Sequence, residues 1–425
     1  MRGMATRVRT MPALFLAPGL VAGAIWYASL VHPADAYPVS ATALGTAGLA
    51  FIVPFAAATA AWEGSRLRRG GFWHGPWVRP HAEILADRLW PAVVVSIVAV
   101  LAGVEASVLE SGGGLPDGRP IGVAALDIVA FAAAGAATGL LLPFAIAGPL
   151  AIVVPLFWLA FVPAMDPVWL RHITGMFRDC CAATEDLSIR PIVASSLVDL
   201  GILAATAFAI SNVTEIRRGI AMGASLVVAG SVATALVAGM SYAPTSNRSL
   251  ADLTCARASA ATICVWPEHQ ADLIPMVRVL PTVLARWSDA GIPAPDLFTE
   301  AESSAAPAGS AILVLSGGGA LGDDGIIEAL SSSLLPTYPS CLNGGSTGWQ
   351  VAEYLQAWYE AAAGMPDASL AARHERPFDP SYPPVMDVVQ KLSRATLDSR
   401  LAWTTRVTGI TQACGDWAVD QLQVR

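Results

Sequence analysis

Long apolar stretches separated by short polar or basic ones fill the chain from about residue 11 to residue 241. Seven are long enough, or nearly so, to cross a bilayer, whose hydrocarbon core takes about 20 apolar residues of helix. They are residues 11–31, 40–62, 89–109, 121–146, 148–165, 194–211 and 219–241. The fifth is short, and Ala147-Gly148-Pro149 sets it off from the fourth, so the two predict a tight helical hairpin. Beyond residue 242 the pattern becomes that of an ordinary globular domain. Ala261–Trp266 reads as a strand, and Pro267 opens a helix that runs to about Trp287 and stops near Gly291. Ala311–Leu315 reads as a second strand. Asp323–Leu335, Thr347–Ala363, Pro384–Arg394 and Ser399–Ala413 repeat apolar residues at helical spacing. Residues 300–310 form a surface loop or linker. The fold class expected is a polytopic α-helical membrane protein of about seven transmembrane helices, residues 1–241. A helix-rich α+β domain, residues 242–425, follows it.

Composition agrees with this division. The chain is 54% hydrophobic and 14% charged, against about 25% charged in soluble domains. The net charge of −8 averages two unlike halves, and no basic face or stripe suggests a nucleic-acid partner. Arginine placement predicts orientation. With the N-terminus inside, the inner segments carry Arg2, Arg7, Arg9, Arg66, Arg68, Arg69, Arg79, Arg88, Arg217 and Arg218. The outer loops carry Arg119, Arg171, Arg178 and Arg190. Cytoplasmic loops hold the excess of Lys and Arg, so seven crossings of the plasma membrane place residues 242–425 outside. Arg2, Arg7 and Arg9 followed by an apolar run and Ala34-Asp35-Ala36 also suit a signal peptide. The run of about 20 residues exceeds the 7–15 of such a segment, and a retained span is expected.

Six cysteines fall on segments expected outside, where disulfides persist. Cys255, Cys264, Cys341 and Cys414 lie in the C-terminal domain and allow three pairings. Cys255–Cys264 with Cys341–Cys414 is preferred, because the first pair flanks a short turn. Cys180 and Cys181 lie in the loop before the sixth span, and their role is left open. Neither a CxxC pair nor HxxxH spacing points to a metal.

The loop 63–88, EGSRLRRGGFWHGPWVRPHAEILADR, is rich in arginine and tryptophan. Such a composition serves equally a positive-inside loop with interfacial aromatics or a short element that docks a cytoplasmic partner. The block AAWEGSRLRRGGFWHGPWVRP, the outer block PVWLRHITGMFRDCC and CVWPEH at the start of the C-terminal domain resemble actinobacterial permeases of the ATP-binding-cassette type. The resemblance covers most of residues 1–270 in outline and is to the type-two export architecture. It implies an exporter subunit without catalytic residues, paired with a separate ATPase that holds ATP and Mg, and with a second permease copy or homologue in the bilayer. It places the coupling element between spans two and three, which assigns docking to Glu63, Arg66, Arg68, Arg69, Trp73, Trp77 and Arg79. It also places a helix around Trp169–Phe177 on the outer side between spans five and six. Such permeases have six spans, so the seventh and the C-terminal domain depart from the type. A scaffold or sensor that keeps only the permease form is the alternative.

Three acids, Glu105, Asp127 and Asp199, lie within apolar spans, where a charge costs about 3 kcal/mol. All three fall toward the outer ends of the segments as drawn. Asp199 is the deepest and the best candidate for a functional contact. In the C-terminal domain, Gly317-Gly318-Gly319 and Gly344-Gly345-Ser346-Thr347-Gly348 resemble the oxyanion loop and nucleophile motif of patatin-like lipases, with Ser346 as nucleophile. No Asp-Gly-Gly or Asp-Gly-Ala follows Ser346, and Pro339–Asn343 makes a poor strand before it. These glycines are expected to form turns. There is no Walker A motif.

Overall fold

The computed structural model describes the chain except residues 1–10, 32–36, 72–80, 179, 212–213, 303, 316–320, 337–347, 375–382, 414–421 and 425. The chain divides into two compact units, residues 1–247 and 248–425.

Among the described residues, the first unit holds seven helices long and apolar enough to cross a membrane. They are Pro12–Leu30, Pro38–Arg69, Glu83–Glu110, Gly118–Leu141, Phe144–Ala164, Ile189–Ala209 and Glu215–Val237, called spans one to seven. Span two is the hub. It packs along span four, and spans three and five also contact it. Small residues make that approach possible. A Cβ added at Gly135 would strike the carbonyl of Ala57, one at Gly139 that of Ala61, and one at Gly64 that of Ala136. Backbone therefore meets backbone, as is usual where helices associate in lipid. Spans one and seven are the most exposed, with only 17% and 11% of their apolar windows buried against 72% for span two.

The turn between spans four and five is not at Ala147-Gly148-Pro149, as the sequence predicts, but at Leu142-Pro143. Pro143 disfavours helical geometry at the residue before it, and Leu142 is extended (φ −113°, ψ 155°). Pro149 is carried inside span five, where protein neighbours can satisfy the backbone that a proline frees. The helix expected around Trp169–Phe177 is a 3₁₀ segment, Val168–Ile173, followed by a turn at Gly175 with φ +76°. A short ribbon pairs β1 (Glu185–Leu187) with β2 (Thr245–Asn247). Arg119 ties this ribbon to the start of span four, donating to Asp186 Oδ1 at 2.5 Å, to Asp117 Oδ2 at 2.8 Å and to the Leu187 carbonyl at 3.0 Å.

The second unit is built on a four-stranded sheet in the order β3 (Thr254–Ala258), β4 (Ala261–Val265), β5 (Leu297–Thr299) and β6 (Ala311–Ile312). β3 and β4 form an antiparallel hairpin, while β4–β5 and β5–β6 are parallel. Helix α1 (Gln270–Ala290) makes the first crossover and ends where Gly291 adopts the left-handed conformation, φ 77°. There Ile292 N–H reaches back to the Trp287 carbonyl at 2.8 Å, a glycine-terminated helix end. Among the described residues, helices α2 (Asp323–Ser333), α3 (Gly348–Ala363), α4 (Asp367–His374), α5 (Val385–Arg394) and α6 (Leu397–Ala413) follow. Its core gathers Trp287, Trp403 and Phe298 with aliphatic residues of β4, α1 and α3. The indoles are bonded as well as buried: Trp287 Nε1 donates to the Tyr359 carbonyl and Trp403 Nε1 to that of Leu422.

Candidate functional site

The most unusual chemistry among the described residues lies inside the membrane unit. Asp127 on span four and Asp199 on span six are each 1% exposed, and their carboxyls lie close enough to interact. A hydrogen bond between two carboxyls requires a proton between them. Asp127 Oδ2 and Asp199 Oδ2 are both buried without a hydrogen-bond partner. Unsatisfied buried acceptors of this kind are rare and call for an explanation.

Helix bounds correct the expected placement of these acids. Asp127 lies nine residues after Gly118, the first residue of its span, and Asp199 ten after Ile189. At 1.5 Å per residue both sit about 14–15 Å along their helices, near the middle. The segment drawn from sequence put the edge of span four too close to Asp127. Glu105 is different. It is exposed and five residues from the end of its span, as suits a side chain that reaches for the interface.

The segment between spans five and six folds over this pair. Arg171, His172, Ile173, Thr174 and Phe177 are all buried. A Cβ at Gly175 would overlap Asp127 Oδ2 and crowd Val123, so the turn rests directly on the carboxyl. His172 Nε2 bonds to the Ser241 carbonyl at 2.8 Å, and the Arg171 guanidinium lies 3.5 Å over the ring of Tyr242. Both contacts fasten the segment beside the end of span seven. Burial and the neighbouring Arg171 lower the His172 pKa against the pull of the Ser241 carbonyl, so the imidazole is neutral at neutral pH. Burial pushes the Asp186 carboxyl up, but hydrogen bonds and charge from Arg119, with Leu187 N–H and the Tyr37 hydroxyl, outweigh it and hold it below the ordinary aspartate value. An apolar groove of about 610 Å³ lies alongside, lined by Phe131, Trp158, Ile173, Val198 and Ile202 among others.

At the far end of span two, Arg68 and Arg69 are exposed, whereas Glu63 is buried and bonded to Arg66 at 3.0 Å. Glu63 therefore orients Arg66 and does not itself face outward. Arg69 lies 5.9 Å from the centroid of Trp62. Trp73, Trp77 and Arg79 lie outside the described residues.

In the second unit the CVWPEH block has a structural part. Glu300, 2% exposed, accepts from Trp266 N–H at 2.6 Å and bonds His269 Nδ1 at 2.7 Å, while its own carbonyl accepts from Trp266 Nε1. Arg248 pairs with Glu268 at 2.8 Å and stacks 4.4 Å over Trp266. This knot locks the end of β4 to that of β5. A groove of about 910 Å³ runs beside β6 and α2, lined by Pro293, Pro295, Ile312, Val314 and Leu335 among others.

Cys255 and Cys264 face each other across the β3–β4 hairpin and are joined, S–S 2.03 Å. Closing so short a loop contributes roughly 2.5 kcal/mol in the chain-entropy model. Adjacent Cys180 and Cys181 are also joined and sit in a small cluster with Tyr37, Phe177 and Leu187. Cys341, Cys414, Ser346 and the glycines at 317–319 lie outside the described residues. No group of three or more His, Cys, Asp or Glu side chains suited to a metal occurs among the described residues.

Neither a curated protein nor a solved structure matches the chain. A family model described as a domain of unknown function, DUF7224, matches residues 263–414, most of the second unit.

Proposed function

We propose that this multi-pass membrane protein is the membrane subunit of an ATP-binding-cassette exporter, driven by a separate ATPase that binds ATP and Mg. The observation that carries this reading is the segment Val168–Phe177. It is folded into the bundle between spans five and six, over two buried acids. That is where the export permeases the sequence resembles keep their outer re-entrant elements. The exposed Arg68 and Arg69 at the end of span two support it, because they offer positive charge where such permeases meet their ATPase. In this reading the N-terminus is cytoplasmic and the second unit extracellular. The basic end of span two, continued by Trp73, Trp77 and Arg79, docks the ATPase.

A Trp73→Ala comparison tests the docking. The substitution removes no charge and so should leave orientation intact. Loss of a buried aromatic anchor costs about 2 kcal/mol or more, roughly thirtyfold in affinity. Purification in mild detergent should bring an ATPase with the wild type and little with Trp73→Ala. A wild type that carries no ATPase at all would move the protein to the second reading, a membrane-anchored scaffold or sensor. The groove beside β6 favours that alternative, since it gives the second unit a place to bind a ligand.

A further inference from the structure

We propose that Asp127 and Asp199 form a binding site for one exchangeable proton, and that this proton holds the segment 168–177 closed over the bundle. The proposal rests on the carboxyl geometry and not on the ATPase reading.

Four observations converge. The two carboxyls come from different spans at matching depth and lie close enough to interact. Asp127 Oδ2 and Asp199 Oδ2 are both buried without a hydrogen-bond partner. Each acid is a neighbour of the other. Finally, Gly175 of the covering segment lies against Asp127 Oδ2.

The surrounding charges are placed elsewhere on these spans and the elements that contact them. Arg119 and Arg190 lie in the first turns of spans four and six. Span two carries Glu63, Arg66, Arg68 and Arg69 in its last turns. Span three carries Glu83, Asp87, Arg88, the exposed Glu105 and Glu110, and span seven has Glu215, Arg217 and Arg218 in its first turn. The covering segment brings Arg171 and His172, bound at Tyr242 and Ser241. Removing the shared proton leaves two carboxylates in contact in a poorly polarisable interior, an arrangement that like charges cannot keep. The step is an ordinary acid dissociation: the O–H bond of one carboxyl breaks, its electron pair stays on that oxygen, and the proton passes to a water. The carboxylates then separate or take up water. Either change moves spans four and six and lifts Gly175 from its seat.

The test uses the full-length protein in lipid nanodiscs, with a reporter cysteine at the buried position Ile173→Cys. Infrared difference spectra follow protonated carboxyl groups from about pH 5 to about pH 9, a range over which ordinary aspartates, with pKa near 3.9, stay ionised. Labelling of position 173 by a maleimide is mapped by mass spectrometry on the same samples. We expect a protonated-carboxyl signal at neutral pH that is absent from Asp127→Asn/Asp199→Asn. We expect it to disappear as pH rises, with labelling at 173 increasing at least tenfold over the same interval. In the double variant, whose two amides can hydrogen-bond each other but have no proton to lose, labelling should stay low throughout. Should that variant fail to accumulate, the coincidence of the two signals in the reporter protein decides alone. A neutral-pH sample without the carboxyl signal, or labelling that does not change as the signal is lost, overturns the proposal. Co-purification of an ATPase bears on neither result.

Discussion

Gly135→Leu should abolish the folded membrane unit. Gly135 and Gly139 present one face of span four to span two, and an added Cβ at either would enter a backbone carbonyl, that of Ala57 or of Ala61. A flexible side chain could move aside; two helix backbones cannot without parting. Overpacking in a tight core costs about 1–3 kcal/mol, and a clash with backbone lies at or beyond the top of that range. The bilayer offers no compensating hydrophobic drive, because separated apolar helices meet lipid that is equally apolar. Size-exclusion chromatography after a thermal ramp in detergent should find Gly135→Leu aggregated or absent under conditions where the wild type is monodisperse. Gly122→Leu is the control, since nothing lies within 4 Å of that Cβ on the same span. A Gly135→Leu protein that melts with the wild type would show that spans two and four do not meet as described.

His374→Ala should cost the second unit roughly 3–5 kcal/mol. Glu360 is 0% exposed, and its carboxylate is held by His374 Nε2 at 2.9 Å and by the Gln356 amide at 2.9 Å. Removing the imidazole leaves a buried charge with one neutral donor. The same pair makes stability depend on pH. Burial pushes His374 down, but hydrogen bonding and charge from Glu360, then Glu353, outweigh it, so its folded pKa lies above 6.5. A raised folded value means the contribution is complete below the unfolded value of 6.5 and is lost as pH rises through the folded value. Pulsed proteolysis of the full-length protein should therefore find the second unit less stable above pH 6.5 than below it. His374→Gln should remove most of that slope. A wild type equally stable on both sides would contradict the pairing.

Much of the fold was legible along the chain, for reasons that differ by element. Spans are set by length and apolarity alone, and all seven are visible without tertiary information. The stop at Gly291 follows from a single residue's freedom at positive φ. Cys255 and Cys264 lie close enough in sequence that a two-residue turn at Ser259-Ala260 sets them opposite each other. The Leu142-Pro143 turn was missed because Ala-Gly-Pro nearby is the stronger local signal, although it is tolerated inside a membrane helix. What sequence could not supply is distance between elements. Asp127 and Asp199 are individually noticeable as acids in apolar spans, but their meeting depends on how spans four and six pack. The glycines that admit span two to span four are likewise ordinary until the partner backbone is placed. His374 closes the short helix α4, and its partner Glu360 lies on another helix, so no periodic pattern links them.

The orientation in the proposed function requires the end of span two and the start of the second unit, with spans three to seven between them, to face opposite sides of the membrane. Single cysteines at Arg68, at the basic end of span two, and at Leu250, exposed at the start of the second unit, report this most directly. An impermeant maleimide applied to intact cells should label position 250 at once and position 68 only after permeabilisation. Labelling of both positions from outside, or of 68 alone, would contradict it.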